Sequence, residues 1–410
     1  EPFAYPGAFG AFVSFLKDLV ELGVFCAVMY AFYRRFVLKP KRLEPNREAI
    51  LVLSLITAIV VTDFLFDGFR FALLSDKFPL IEHERHFAFI GGPLGTALSA
   101  LPVSVQVAGY HTMYWAQMVV VLSFLVLLPA GEHFHIVTAL PTLFFAQPGP
   151  TNVVPKVDLE TLMGEGGDED MSVGVRTVKD LYWKEGLDVF TCTECGRCKD
   201  ACPTFQTGKP LALKWVNDKI KHHLLDVRTA LVTPMVAEGQ VAPEPPELPP
   251  LVDSVISEDM LWACTTCGYC EAACPLKIEH LSKFFRMRQQ RVMMEGQFPH
   301  ELSPVFDAYE VQSNPWGLAA STRADWAKDL DVPVVSSAEE VAELDYIFYV
   351  GSAESFDPRG QKIARAFAQV LKQAGVRFGI LGELETSTGE CVRRVGNEMV
   401  FQTLAATLVE

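Results

Sequence analysis

The chain has 410 residues, half of them hydrophobic, and its 35 basic and 50 acidic side chains give a net charge of −15. This apolar fraction excludes an intrinsically disordered chain, and the acidic balance argues against a nucleic-acid partner. The length predicts more than one domain.

The charge divides the chain into two halves. Residues 1–146 carry ten Lys and Arg against eleven Asp and Glu, so nearly all of the negative charge falls on residues 147–410. A nearly neutral, apolar front half predicts a membrane domain over 1–146, followed by soluble domains. The acidic surface is typical of soluble proteins, and a partner with a basic face stays open as the alternative.

About three transmembrane helices are expected in the membrane domain, since a span needs about 20 apolar residues. The candidate stretches are residues 20–36, 49–74 and 108–128. Residues 87–101 contain Gly91-Gly92-Pro93 and are predicted to be a re-entrant or interfacial piece, with a fourth span as the alternative. Asp18 and Glu21 are predicted at the membrane interface.

Basic residues after the first span predict the orientation. Arg34, Arg35, Lys39, Lys41 and Arg42 follow one another closely, and the positive-inside rule places them in the cytoplasm. Three spans then put residues 147–410 in the cytoplasm. No basic segment precedes the first apolar run, so a cleavable signal peptide is not expected.

Three ionisable residues fall inside the second span: Asp63, Asp67 and Arg70 lie about one helical turn apart. Such groups are costly in lipid, so they are candidates for a functional site that handles protons. Pairing with one another, or extending to the interface, are the alternatives.

Ten cysteines include two copies of the pattern C-x2-C-x2-C-x3-C-P, at residues 192–203 and 264–275. This spacing predicts two [4Fe–4S] clusters, because three thiolates of each loop bind one cubane and the fourth, before proline, binds the other. The predicted ligands are Cys192, Cys195, Cys198 and Cys274 for cluster 1, and Cys264, Cys267, Cys270 and Cys202 for cluster 2. Disulfides are rare in the cytoplasm, and zinc does not account for the third cysteine.

The flanking pattern predicts a mostly helical two-cluster domain over 147–310. Helices are expected at 209–228 and 280–295, with a proline-rich surface loop at 233–252. Four basic residues of the second helix are predicted on a solvated face, with a partner dock as the alternative. They are Lys283, Arg286, Arg288 and Arg291.

Residues 311–410 predict a partial α/β domain. Strands at 344–351 and 376–381 flank a helix at 358–374, and a further helix covers 393–408. The fold class is therefore multi-domain, with an α-helical membrane domain, an α-helical two-cluster ferredoxin domain and a partial α/β domain.

Several segments resemble a known family. The cysteine motifs, with Thr207-Gly208-Lys209-Pro210-Leu211, resemble iron–sulfur subunits related to heterodisulfide reductase. Phe356-Asp357-Pro358-Arg359 resembles the start of that family's cysteine-rich domain, and residues 1–146 resemble a shortened nitrate-reductase-gamma-type cytochrome b domain. The whole arrangement is similar to membrane-bound electron-transfer-flavoprotein:menaquinone oxidoreductases.

This resemblance implies an oxidoreductase that acts within a complex. Electrons would pass from a cytoplasmic flavoprotein, which carries the FAD, through two [4Fe–4S] clusters to menaquinone. Asp63, Asp67 and Arg70 would serve the quinone or its protons. The expected location is a bacterial or archaeal cytoplasmic membrane, multi-pass, with lipid and other subunits as partners. Two alternatives stay open, a non-catalytic wiring or anchor subunit of a respiratory complex and an ion-translocating redox subunit.

The resemblance also raises a b-type haem. His86, His111 and His135 are candidates for binding haem or quinone, but Gln117 stands where the family has another ligand, so haem stays open. In the C-terminal domain, Ser352 and Ser387 stand where cysteines are expected. A third cluster is therefore not expected, and the segment is predicted to be a docking scaffold or part of a truncated chain.

Overall fold

The computed structural model describes residues 4–40, 47–130, 132–154, 157–159, 173–232 and 246–410. Lys41, Arg42 and residues 233–245 of the predicted proline-rich loop lie outside these ranges. The chain forms two compact units, Glu1–Phe145 with Phe190–Asp200, and Ala146–Val189 with Ala201–Glu410. The division into three domains at 146/147 and 310/311 stays a prediction.

The described part of residues 4–145 is mostly helical. Its α-helices are α1 (Gly7–Tyr33), α2 (Arg47–Leu74), α3 (Pro79–Phe87), α4 (Gly91–Leu98), α5 (Val103–Ala130) and α6 (His135–Phe144). A π-helical turn, Arg34–Leu38, follows α1, and a 3₁₀ turn, Glu132–Phe134, precedes α6.

Two helices, Arg47–Leu74 and Val103–Pro129, are long and apolar enough to cross a membrane. The 27 residues of α1 give it a length of about 40 Å, enough for a span, but the helix includes Lys17, Asp18 and Glu21. A third span at α1 therefore stays a prediction. The alternative of a fourth span at 87–101 is wrong, because the eight residues of α4 rise only about 12 Å.

Asp18 is buried inside the first unit instead of lying at an interface. Its Oδ2 atom accepts hydrogen bonds from the Ile90 and Gly91 amides at 2.6 and 3.2 Å, and only 1% of the residue is exposed. The carboxylate thus satisfies backbone donors at the start of α4. The interfacial prediction for Asp18 is corrected by these contacts.

In the described residues after 173 the chain is again mostly helical. Leu251–Ser254 form a short helical segment with a kink. The α-helices are α7 (Trp183–Thr191), α8 (Arg197–Ala201), α9 (Pro203–Gln206), α10 (Leu213–Asp226), α11 (Arg228–Leu231), α12 (Glu258–Ala263), α13 (Tyr269–Ala272), α14 (His280–Gln289), α15 (Ser303–Gln312), α16 (Ala338–Ala342), α17 (Ser352–Phe356), α18 (Pro358–Gln373), α19 (Glu390–Arg394) and α20 (Glu398–Val409). A π-helical turn, Gln290–Met294, continues α14.

The predicted β-α-β unit is confirmed, with shorter strands. The strands β1 (Tyr346–Ile347) and β2 (Phe378–Gly379) pair in parallel, with Tyr346 opposite Phe378. The connecting helix α18 begins at Pro358, and the Asp357 carboxylate caps it by accepting from the Arg359 and Gly360 amides, both at 2.9 Å.

Two cores stabilise residues 290–410. The first lies under the small sheet and contains Trp326, Ala327, Val350, Ala364, Ala368, Phe378 and Ile380. The second combines Val292, Phe306 and Tyr309 with Val392, Val400 and Leu404. This second core contains residues from both sides of the predicted boundary at 310/311.

A buried ion pair connects the loops beside the small sheet. Arg323 lies 2.9 Å from Glu385, and both side chains are almost fully buried. The Glu385 carboxylate also accepts from the Val350 and Gly351 amides at 3.0 and 2.8 Å, while Arg323 donates to the Ser352 hydroxyl at 3.1 Å. One of the two serines at expected cysteine positions is therefore a hydrogen-bond partner in this network.

Replacing Arg323 with methionine would leave the Glu385 carboxylate buried without its cation. We expect this variant to lower the local unfolding free energy of the α/β segment by about 3–5 kcal/mol. Hydrogen exchange of the α18 and β2 amides measures the change. Arg359→Met, which removes an exposed arginine, is the control. Equal protection in the two variants would contradict the prediction.

Candidate functional site

The two cysteine loops have the same backbone conformation. The second residue after the first cysteine is left-handed in both loops, with φ of 50° at Glu194 and 53° at Thr266. Two residues further on, Gly196 and Gly268 have φ of 77° and 81°, which glycine adopts without strain. Each loop then enters a short helix, α8 or α13.

This conformation suits a thiolate-bound cluster. A left-handed residue beside a right-handed one curls the backbone into a concavity lined by N–H groups, which favours anions. In the second loop, the Thr266 amide donates a hydrogen bond to the Cys264 sulfur at 3.4 Å. Cubane-binding thiolates accept such bonds. The loop geometry and the soft sulfur donors therefore fit iron–sulfur clusters.

The eight motif cysteines differ in exposure. Five are buried, Cys195 and Cys274 are partly exposed, and Cys267 is exposed; none of the chain's ten cysteines forms a disulfide. Within the described ranges, no three Cys, His, Asp or Glu side chains lie close enough together to hold a single metal ion. Which four cysteines share each cluster stays a prediction.

Arg288 lies directly behind the second loop. Its guanidinium donates to the carbonyl oxygens of Cys264 at 2.6 Å and Leu261 at 2.8 Å, and the residue is only 3% exposed. Burial raises the pKa of the Cys264 thiol above its ordinary value, while the positive charge of Arg288 lowers it. Binding of iron would deprotonate the thiol in either case.

A second arginine reaches the same loop from residues 311–410. Arg394 donates to the Thr266 carbonyl at 2.9 Å and to the Asn152 side chain at 3.0 Å. The chain turns away at Gly396, whose φ is 102°, and a Cβ there would lie 2.6 Å from the Arg288 carbonyl carbon. Only glycine permits this close approach, which positions Arg394 on the second loop.

The solvated face predicted for α14 is wrong, and so is its alternative, a dock for a partner. Lys283, Arg286, Arg288 and Arg291 are all buried. Arg286, for example, lies 2.6 Å from Glu185, stacks 3.6 Å over the Tyr182 ring and donates to the Asp180 carbonyl at 2.7 Å. These side chains donate hydrogen bonds to carbonyl oxygens and carboxylates of their surroundings, and each guanidinium offers five donors.

His280, at the start of α14, is neutral. Burial lowers its pKa to about 3, with a smaller contribution from the positive charge of Lys283. Its Nδ1 atom lies 3.4 Å from the Asn217 amide nitrogen. His280 therefore adds no positive charge to α14.

The first unit brings the predicted residues of the second span together. Lys17 on α1 lies 2.7 Å from Asp63 and 2.6 Å from Asp67 on α2. Asp67 is also 3.8 Å from Arg70, and Gln117 on α5 donates to Asp63 at 2.6 Å. The internal pairing that the sequence left open is therefore present, with Lys17 as a partner that the sequence analysis missed.

Glu84 completes this network. Its carboxylate lies 2.7 Å from Arg70 and accepts from the Tyr5 amide at 2.8 Å. Sequence reasoning assigned the segment around Glu84 to a loop between spans, so its partner on α2 was not anticipated. The one indication in the sequence was the position of Glu84, a charged residue close behind the second span.

The candidate histidines have separate surroundings. His86 is exposed, and its Nδ1 atom lies 2.7 Å from the Glu82 carbonyl oxygen of its own helix. The His111 ring meets Tyr110 edge-on at 5.4 Å, and the His135 ring lies 5.5 Å from that of His133. These contacts do not test haem binding, which stays open.

Comparison with known proteins identifies the cysteine region. Residues 188–278 match the family described as "4Fe-4S dicluster domain". The chain carries an iron–sulfur domain of this kind. Both cysteine loops, from Cys192 to Cys274, fall within the match, so the prediction of an iron–sulfur protein is confirmed.

Longer similarities extend over nearly the whole chain. The chain is 32% identical to a probable iron-sulfur-binding oxidoreductase, FadF, from Bacillus subtilis, over 96% of this chain and 58% of the relative. It is 29% identical to the EtfAB:quinone oxidoreductase of Syntrophomonas wolfei, over 97% of this chain and 57% of the relative. The chain thus spans somewhat more than half the length of these curated relatives.

A third similarity is to one component of a larger enzyme. A polypeptide of the dihydromethanophenazine:CoB–CoM heterodisulfide reductase from Methanosarcina barkeri is 28% identical, over 53% of this chain and 50% of that polypeptide. The chain is similar to the heterodisulfide-reductase-like iron–sulfur oxidoreductases, as the sequence predicted. The resemblance of residues 1–146 to a cytochrome b domain stays a prediction. No solved structure matches the chain.

The predicted ligand sets of this iron–sulfur domain can be tested by pairing variants. Cys274→Ala should remove the same cluster as Cys198→Ala, and Cys202→Ala the same cluster as Cys270→Ala, each with loss of about half the iron. Electron paramagnetic resonance of the reduced protein distinguishes the two signals. Cys391→Ala, outside the motifs, is the control. A spectrum of Cys274→Ala matching that of Cys270→Ala would show that the sets are wrong.

Arg288 should raise the reduction potential of the cluster on the second loop, because a nearby positive charge stabilises the more negative reduced state. Arg288→Met is expected to lower that potential on the order of 50–100 mV, while Arg288→Lys retains most of it. A redox titration followed by electron paramagnetic resonance measures the shift. An unchanged midpoint in Arg288→Met would contradict this role.

Proposed function

We propose that this chain spans the cytoplasmic membrane of its organism and carries electrons from a reduced flavoprotein to menaquinone. The observation that carries the proposal is the pair of matched cysteine loops, on a chain with two helices apolar enough to cross a membrane. A relative named EtfAB:quinone oxidoreductase supports both the donor class and the acceptor class.

The chain's own residues hold and tune the redox centres in this function. When bound, the two [4Fe–4S] clusters supply one-electron transfer. The Thr266 amide donates to the Cys264 sulfur, and Arg288 and Arg394 hold the second loop through its backbone carbonyl groups. A rigid protein frame keeps the structural change on electron uptake small, which favours rapid transfer.

Cys267 offers an entry point for electrons, because it is the exposed member of the motif cysteines. The donor's flavin belongs to a partner, since no dinucleotide-binding glycine motif occurs in this sequence. Cluster domain and donor then meet on the cytoplasmic side, with further subunits in the complex.

Menaquinone is the proposed acceptor. Asp63, Asp67 and Arg70 are proposed to bind the quinone or its protons, which their joint contacts with Lys17 and Glu84 support. His86, His111 and His135 remain candidates for a b-type haem or for the quinone. Quinone reduction takes two electrons and two protons, so a relay of one-electron centres beside titratable groups suits the task.

The detergent-purified, cluster-loaded chain tests this function under anaerobic conditions. A reduced electron-transfer flavoprotein should bleach the visible absorbance of the clusters, and a short-chain menaquinone should then restore it with formation of quinol. A Cys198→Ala/Cys270→Ala double variant should lose both steps, and Cys391→Ala should keep them. Clusters that the flavoprotein reduces but menaquinone does not oxidise would indicate a wiring or anchor subunit instead.

An optical difference spectrum from the same experiment shows whether the chain binds haem. A sharp α-band on reduction would add a haem to the relay and direct variants to His86, His111 and His135. A spectrum without that band, even with dithionite, would assign oxidation by quinone to a cluster.

A further inference from the structure

The first unit contains an open cavity of about 340 Å³ beside the charged network. Four charged side chains line it, namely Lys17, Asp67, Arg70 and Glu84. Aromatic rings, including Phe66 and Tyr110, form other parts of its wall. Its volume falls in the range of about 300–1,000 Å³ that is typical of small-molecule sites.

The cations of the cavity are held in place by carboxylates on other turns or helices. Lys17 bridges Asp63 and Asp67 at 2.7 and 2.6 Å, and Arg70 lies 2.7 Å from Glu84. The ammonium and guanidinium groups are charged hydrogen-bond donors. The cavity is therefore lined by fixed donors suited to carbonyl oxygens.

The charges of the network do not balance. Six side chains are linked by ion pairs, the two cations and four carboxylates, Glu21, Asp63, Asp67 and Glu84, with Glu21 3.7 Å from Lys17. With all six ionised they would sum to two negative charges, and unpaired charge away from water is costly. Uptake of two protons would neutralise the network, and two is the number that reduction of a quinone consumes.

The aromatic wall suits a planar ring. Phe66 and Tyr110 are stacked with centroids 5.1 Å apart and planes 29° from parallel. Phe71, which is 1% exposed, closes another part of the cavity. Flat aromatic faces favour stacking with a flat ligand ring. The same cavity is also lined by the charged side chains.

We propose that this cavity binds the head group of a quinone. Lys17 and Arg70 donate hydrogen bonds to its carbonyl oxygens. Asp67 and Glu84 each take up one proton from water and pass it to a quinone oxygen. Two electrons arrive singly from the reduced iron–sulfur domain, each carbonyl C=O becomes C–OH, and both carboxyl groups return to their ionised form. This assignment rests on the proposed function and adds Lys17 and Glu84 to it.

The test uses the cluster-loaded full chain in detergent and a short-tailed naphthoquinone as the probe. Two quantities are measured, equilibrium binding of the probe and the rate at which it reoxidises dithionite-reduced clusters. Lys17→Met should weaken binding about 10- to 100-fold, the effect of losing a hydrogen bond from a charged donor. Lys77→Met removes an exposed lysine of the same unit and should bind as the wild type does.

Glu84→Gln separates binding from proton delivery. Glutamine has one side-chain oxygen, which can accept from Arg70 or from the Tyr5 amide but cannot replace both carboxylate oxygens, and it carries no titratable proton. Binding should therefore change less than in Lys17→Met, while reoxidation should slow about tenfold or more. This variant also decides the question if Lys17→Met fails to fold. Ferricyanide, a water-soluble oxidant, should oxidise the clusters of every folded variant at the wild-type rate.

The outcomes distinguish the two levels of the proposal. Wild-type clusters that ferricyanide oxidises and naphthoquinone does not would overturn the quinone function and the cavity assignment together. Wild-type clusters that naphthoquinone oxidises, with Lys17→Met and Glu84→Gln behaving as the wild type, would overturn only the cavity assignment. Weakened binding in Lys17→Met, or slowed reoxidation in Glu84→Gln, with a normal ferricyanide rate supports it.

Discussion

A charge removed from water needs a partner of opposite sign or a set of hydrogen bonds, and this requirement organises both units of the chain. In the first unit, Lys17 satisfies it with two aspartates from the facing helix. In the second, Arg323 and Glu385 satisfy it for each other, beside the small sheet. Removing one partner of a buried ion pair costs more free energy than the intact pair contributes to stability. The pairs therefore favour the arrangement of helices and loops in which both partners are present.

The same requirement explains how a small helical domain can support two cysteine loops. The loops contain few apolar side chains besides cysteine, so they cannot form a hydrophobic core around the thiolates. Arg288 and Arg394 connect the second loop to α14 and to the C-terminal segment through backbone carbonyls. A carbonyl that is bonded to a fixed guanidinium moves little when the adjacent centre changes charge. Buried cations thus provide rigidity and a positive potential together.

Sequence reasoning was most successful where the signal is local. Cysteine spacing, the helix predicted from Pro358 and the apolar run of α2 each lie within one segment, and the structure or the comparisons bear them out. It failed for α14, because a helix rich in Arg looks amphipathic whether its cations face water or buried carbonyls. It also missed Lys17 and Glu84, whose partners lie on other helices. Ion pairs between residues far apart in the sequence leave no periodic pattern by which they could be predicted.

The core shared by residues 292–309 and 392–404 has a consequence for the C-terminal segment. Loss of the segment would expose Val292 and Tyr309 and withdraw Arg394 from the second loop. The surroundings of the second cysteine loop therefore depend on residues that lie more than a hundred positions further along the chain.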